Sequence, residues 1–165
     1  MMRALRERWH RFWFDAEAPD NLGLSRALFY GLILLLYLNE SWSEWSDVSV
    51  VFWEPITMFK WLRIPVFSGG VLTLLSVVWK ASLLTAALGL FTRGSAVVAC
   101  AIGWYLLGLP HNFGKTHHFD ALIVLILGVL TLARTDDAFS LDQRLFGHDR
   151  SPKPNGEYRW PVRAA

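Results

Sequence analysis

A lysine stands at the middle of the longest apolar run in this 165-residue chain. Lys80 has eleven residues of the segment 69–91 on each side, which at helical rise puts it about 16 Å from either end. An ionised amine at that depth of a bilayer costs ~2.5–3.5 kcal/mol on insertion scales, so such a residue calls for a purpose. Thr73, Ser76 and Lys80 recur at i, i+3 and i+7 and share one helical face, a polar stripe expected to turn into a bundle. Three readings fit it: a proton donor or anion contact in a membrane cavity, a lysine solvated by water and hydroxyls, or one near the interface if the helix is set differently in the bilayer. No carboxylate lies at comparable depth, and Tyr30 and Tyr105 are nearest by depth alone. A quinone-type lipid entering here is expected to meet Lys80, Tyr105 and Trp104.

A second cluster, Pro110-His-Asn-Phe-Gly-Lys-Thr-His-His-Phe-Asp120, gathers three histidines, an asparagine, a lysine and an aspartate. His117 and His118 are adjacent, so on a helix they point differently and do not make the i, i+4 pair of a metal site; no metal is expected. His118, or His117 beside it, is the candidate acid–base group or quinone contact. The plainer alternative is a polar interfacial loop. Asp120, at the start of the next apolar run, complements the positive end of a helix.

These groups need a scaffold, and composition describes it. The chain is 53% hydrophobic and 18% charged, against about 25% charged in soluble domains. It holds nine tryptophans, and its mean hydropathy is +0.31. A net charge of +2 is too small for a phosphate-binding surface, which argues against nucleic acid as a partner. The lone Cys100 cannot close an internal disulfide and, within an apolar helix, acts as a small hydrophobe. Apolar residues gather in four stretches: 22–38 around Ser25 and Arg26, 69–91 around Lys80, 96–109, and 121–133. Crossing a core of about 30 Å takes about 20 residues; the second stretch reaches that outright, the others with their flanks.

The expected architecture is an all-α integral membrane four-helix bundle, with helices near 22–39, 69–91, 94–110 and 119–134. A basic amphipathic segment (1–21) precedes it and a polar tail (135–165) follows. About twenty residues, twelve of them charged or aromatic, precede the first stretch, so it is expected to stay as a helix rather than act as a signal peptide. Ala27-x-x-x-Gly31 and Ala99-x-x-x-Gly103 are spacings that let helices approach closely.

Eleven basic residues fall in 1–21, at Arg93 and after 133, against three (Lys60, Arg63 and Lys115) in the other connections. That asymmetry predicts both ends on the cytoplasmic side. The outer connection 39–68 carries Trp42, Trp45, Trp53 and Trp61, rings suited to the headgroup layer. Within it a short interfacial helix over 55–63 is expected, with Ile56, Phe59 and Leu62 on one face. Ser140-Leu-Asp-Gln143 fits a capping box opening a short helix over 141–146.

Leu88-Gly-Leu-Phe-Thr-Arg93, between two apolar helices, is similar to bacterial DoxX-like and HTTM membrane proteins, HTTM being the domain shared with the vitamin K-dependent gamma-carboxylase. Lys115-Thr-His-His-Phe-Asp120, the apolar helix after it and Ala138-Phe-Ser-Leu-Asp142 resemble that family's Asn-His motif, helix and aromatic-Ser-hydrophobic-Asp sequence. The resemblance spans roughly residues 20 to 163 and is sharpest over 114–142. It places the family's histidine on His118, or on His117 with a shift of one, with His117 or Thr116 where the family has asparagine. The family's catalytic lysine lies on a later helix with an Ala-Gly-x-x-Lys-Leu pattern that is missing from this sequence, and Lys80 does not sit in that pattern. The resemblance therefore implies the four-helix N-terminal part of the domain without the base that abstracts a proton.

Two functions follow as expectations. One is a non-catalytic bundle or membrane subunit, with a membrane protein or a second copy as partner and no cofactor. The other is a quinone-binding oxidoreductase or carboxylase-like unit using His118 and Lys80. Both place the chain in a lipid bilayer, expected to be a bacterial cytoplasmic (inner) membrane.

Overall fold

The apolar stretches fold as helices whose ends have identifiable causes. In the computed structural model, which describes residues 2–115, 118–135, 138–145 and 156–164, every regular element among those residues is helical. Helix α1 is Met2–Phe14 and α2 is Asp20–Leu36, the latter with Asp20 in its first turn. After the short α3 (Thr57–Leu62) comes α4 (Gly69–Leu88), which Gly89 ends in the left-handed conformation (φ +70°). The C′ position of a helix favours that conformation and the residue that adopts it freely. Helix α5 (Thr92–Gly108) stops just before Pro110, and α6 is His118–Leu132. Two short pieces, α7 (Leu141–Leu145) and α8 (Arg159–Ala164), complete the order. Residues 146 and 147, where the 141–146 helix was expected to end, lie outside the described residues.

Helix α2 packs on α4, α4 on α5, and α5 on α6. Two spans, Gly69–Leu88 and Thr92–Phe113, are long and apolar enough to cross a membrane. The other two helices are shorter than the flank-extended segments expected from sequence. At 17 and 15 residues, α2 and α6 rise only about 26 and 22 Å. For α2 the cause is local. The chain leaves the helix at Tyr37 so that Trp42, only 3% exposed, can enter the core. There Tyr37, Trp42 and Trp79 form an aromatic trio with ring centroids 5.5–6.3 Å apart.

Trp79 is the centre of the bundle. It is fully buried, and its indole N–H donates to the Ala99 carbonyl at 3.0 Å. A Cβ on Gly103 would lie 2.8 Å from the indole nitrogen, so the Ala99-x-x-x-Gly103 spacing admits a tryptophan. Gly31, by contrast, has no atom within 4 Å of where its Cβ would be, so the Ala27-x-x-x-Gly31 pair brings no neighbour to that glycine.

Two of the three motifs that carry the family resemblance, Leu88–Arg93 and Ala138–Asp142, meet at one end of the helices. Arg26, fully buried, donates from Nη1 to the Thr135 carbonyl (2.5 Å) and from Nη2 to the Phe139 carbonyl (2.7 Å). The Ser140 hydroxyl donates to the Gly89 carbonyl at 2.7 Å and accepts from the Asp142 N–H, which also donates to Gly89 O. Ser140 thus starts α7 as a cap; the Gln143 side chain lies outside the described residues. The Asp142 carboxylate in turn accepts from the N–H groups of Phe91 and Thr92 and from the Thr92 hydroxyl, capping α5 from a distant part of the chain. Burial pushes the Asp142 carboxyl upward, but these donors and the nearby Arg26 guanidinium outweigh it and hold the group below its ordinary value. There is no room for larger residues: a Cβ on Gly89 would meet Ser140 Cα at 2.7 Å, and one on Gly23 the Ala138 carbonyl at 2.5 Å.

At the opposite end the connection after α2 folds back onto the helices instead of presenting all its tryptophans to a headgroup layer. Trp42 is core, Trp53 packs against Phe59 and Phe113, and Trp45 lies against Phe113; Trp61 alone of the four is strongly exposed, at 80%. On α3 only Phe59 is buried, while Ile56 and Leu62 remain exposed. Gly108 explains the choice, because a Cβ there would lie 2.9 Å from the Phe59 ring.

Candidate functional site

Pro110 cannot continue α5, and the chain passes into a 3₁₀ turn (Pro110–Phe113) that Gly114 closes at φ +81°. Asn112 fixes that turn. Its side chain is fully buried, its amide donates to the Gly108 carbonyl (2.9 Å), and its Oδ1 accepts from the Ile56 N–H (2.8 Å). Its own carbonyl accepts from Glu54 N–H at 2.8 Å. Asn112 thereby staples the segment before α3 onto the end of α5, and its neighbour His111 is turned toward α6.

Asp120, in the first turn of α6, receives it. His111 Nε2 lies 3.6 Å from Asp120 Oδ2, and the Tyr37 hydroxyl donates to Asp120 Oδ1 at 2.6 Å. The Tyr37 contact is a short charge-assisted bond. The His111 contact is longer than a hydrogen bond and orients the ring electrostatically. Both side chains are largely shielded, 21% and 16% exposed. With Nε2 toward the carboxylate, Nδ1 is the nitrogen left to meet a ligand.

His111 and Asp120 form the polar corner of an otherwise apolar cavity of about 340 Å³ between α3, α5 and α6. Phe59 and Trp104 make one wall, stacked at 5.1 Å with 28° between their planes, and Leu107, Val124 and Leu125 make the others. Leu125 is 65% exposed on α6, so the cavity opens toward that outer face. One polar corner in an apolar, aromatic-walled cleft is the usual composition of a site for a small amphipathic molecule.

Of the residues expected from sequence to form a site, Trp104 lines this cavity and the others stand elsewhere. Lys80 turns to the end of α2, where its ammonium donates to the carbonyls of Leu38 (3.0 Å) and Glu40 (2.9 Å). It holds backbone that no longer follows a helix, a need that is acute wherever water is excluded. Ser76 is buried beside it, whereas Thr73 is exposed and bonds within its own helix to Gly69 O. The Tyr105 hydroxyl accepts from Phe67 N–H and donates to the Pro65 carbonyl, both at 3.2 Å, anchoring the approach to α4. His118 is exposed at the start of α6 and is no part of the cavity lining. His117 lies outside the described residues.

The residues that sequence reasoning passed over are His111, Asp120 as its partner, Tyr37 and the positioning Asn112. Pro110 followed by Asn112 was a legible turn signal for that connection. The Tyr37–Asp120 bond joins residues 83 apart and leaves no local trace. Among the described residues no three histidine, cysteine, aspartate or glutamate side chains are grouped as metal ligands. Comparison with known proteins finds no matching family model, no curated relative and no similar solved structure.

Proposed function

We propose that the chain is an integral membrane protein, a four-helix bundle of α2, α4, α5 and α6, that binds a quinone-type lipid in the cavity beside His111 and Asp120. The observation that carries this reading is the single polar corner, His111 and the Asp120 that Tyr37 holds, in a cleft walled on one side by Phe59 and Trp104. A flat ring lies against the Phe59–Trp104 wall, facing Leu107, Val124 and Leu125, its carbonyl or hydroxyl meets the imidazole, and its chain leaves across Leu125. Support for the bilayer comes from the helices' outer faces. Leu24, Leu28, Leu32 and Leu35 on α2, Leu74 and Val77 on α4, and Leu122 and Leu125 on α6 are each more than half exposed or nearly so. In water such faces would be a large apolar patch. The distribution of arginine and lysine favours both ends on the cytoplasmic side of a bacterial inner membrane.

The reading is of a binding unit, not of an enzyme, and in this it keeps the first expectation from sequence. The likeness to HTTM and gamma-carboxylase proteins belongs to the same proposal: the resembling segments build the knot around Arg26, where their side chains are engaged in capping and hydrogen bonding. A membrane-protein partner or a second copy is compatible with a ligand-holding subunit.

Lipid analysis of protein purified in mild detergent tests the reading. Wild type should retain a quinone-type lipid, His111→Ala and Asp120→Asn should retain about two- to tenfold less, given ~0.5–1.5 kcal/mol for a lost hydrogen bond, and His118→Ala and Lys80→Met should retain it as wild type does. Absence of such a lipid from wild type, or its undiminished retention by the first two variants, would overturn it.

A further inference from the structure

Helix α1 presents a face that nothing in the bundle uses. Met2, Leu5, Trp9 and Phe12 follow one another at i, i+3, i+7 and i+10, a stripe about 80° wide at 100° per residue. All four are exposed, Met2 at 87% and Leu5 at 71%. Arg6 and Arg8 flank the stripe on its two sides by the same geometry, with Arg3 and Arg11 behind. Four arginines and one glutamate give Met2–Phe14 a formal charge of +3.

The chain's other terminal helix holds α1 in place and adds to its charge. The Arg163 guanidinium lies 4.0 Å from the centre of the Phe12 ring, and Arg159 pairs with Asp15 at 3.1 Å. Along this margin of the stripe Arg8, Arg11 and Arg159 line an open cleft with Asp15 as its one acidic member. Three guanidinium groups around one carboxylate leave a net positive cleft, suited to a phosphate oxygen.

We infer that α1 docks on an anionic phospholipid surface, with Met2, Leu5, Trp9 and Phe12 in the headgroup–acyl boundary and lipid phosphates against Arg6, Arg8 and the cleft. Complementary charge selects the occupant: an exposed apolar stripe edged by arginines matches the boundary of an anionic leaflet, where the acyl edge takes the rings and the phosphates take the guanidinium groups. A protein groove would cover the stripe but leave the basic margins unmatched. The inference rests on the bundle being in a bilayer, since that is what brings α1 to the surface.

The test uses the full chain with Cys100→Ser, reconstituted in nanodiscs of phosphatidylcholine with or without phosphatidylglycerol. A nitroxide is placed at Leu5→Cys or at Val77→Cys, the latter on the exposed face of α4, and its access to oxygen is compared with its access to a water-soluble nickel chelate. The Leu5 label is expected to favour oxygen in anionic discs, at shallower depth than the Val77 label. Arg6→Glu with Arg8→Glu should lower the docked fraction about tenfold or more. A Leu5 label open to nickel in anionic discs, with Val77 protected, would refute the inference and leave the bundle in its membrane. Equal protection of Leu5 in neutral discs or in the double variant would refute the anionic recognition. A Val77 label open to nickel would instead bring down the membrane reading itself.

Discussion

Replacing Arg26 with methionine removes the centre of the knot while keeping an unbranched side chain of similar length. The guanidinium makes two bonds to buried or part-buried carbonyls, those of Thr135 and Phe139, and a hydrogen bond to a charged group contributes ~1.5–3 kcal/mol. Losing both therefore costs about 3–6 kcal/mol. In a chain of this size each kcal/mol moves the unfolding midpoint by ~2–4 °C, so Arg26→Met should unfold about 6–24 °C below wild type. Arg26→Lys, with one ammonium in place of a planar fork, should recover about half of that. Thermal unfolding in a fixed detergent gives the midpoint, and hydrogen exchange locates the damage: the amides of Phe91, Thr92 and Asp142, all bonded within the knot, should lose protection first. An Arg26→Met protein that melts within about 2 °C of wild type, with those amides still protected, would refute the assignment of Arg26 as the tie between α2 and the segment after α6.

Three further outcomes follow from the same geometry. Because the Asp142 carboxyl titrates below its ordinary value of 3.8, its stabilisation is complete above that value and is lost as pH falls through the depressed one; Asp142→Asn should melt lower than wild type at neutral pH and converge with it in strong acid. Lys80→Met should cost about 1–3 kcal/mol by freeing the carbonyls of Leu38 and Glu40, seen as faster exchange over residues 38–46 with no change in bound lipid. Gly103→Ala forces a methyl to 2.8 Å from the Trp79 indole nitrogen and should lower stability by ~1–3 kcal/mol, with a change in near-ultraviolet dichroism from the displaced tryptophan.

The helices were legible because their signals are local. Runs of leucine, isoleucine and valine, Gly89 after α4 and Pro110 after α5 give class and approximate boundaries without any neighbour. The exceptional position of Lys80 is plain from sequence but its partners are not, since a lysine deep in an apolar helix looks the same whether it faces a ligand or the carbonyls of a broken helix. Only the departure of the chain at Tyr37, driven by the burial of Trp42, distinguishes them. In the histidine-rich connection, sequence offers the adjacent pair His117 and His118 most readily. The histidine brought to an acid is His111, nine residues from Asp120 along a turn whose shape depends on the buried Asn112. Of the motifs behind the family resemblance, Leu88–Arg93 and Ala138–Asp142 meet in a structural knot, a pairing across about 50 residues that no spacing rule reveals.

The proposed ligand is a lipid-type molecule in the cleft between α3, α5 and α6. A photoreactive quinone analogue, added to membranes containing the protein and cross-linked by light, tests it most directly once the labelled residues are mapped by mass spectrometry. The account predicts labelling of Phe59, Trp104 and Val124, suppressed by excess unlabelled quinone and in Asp120→Asn. Labelling spread along the outer faces of α2 and α4, or centred on Lys80 and His118, would contradict it.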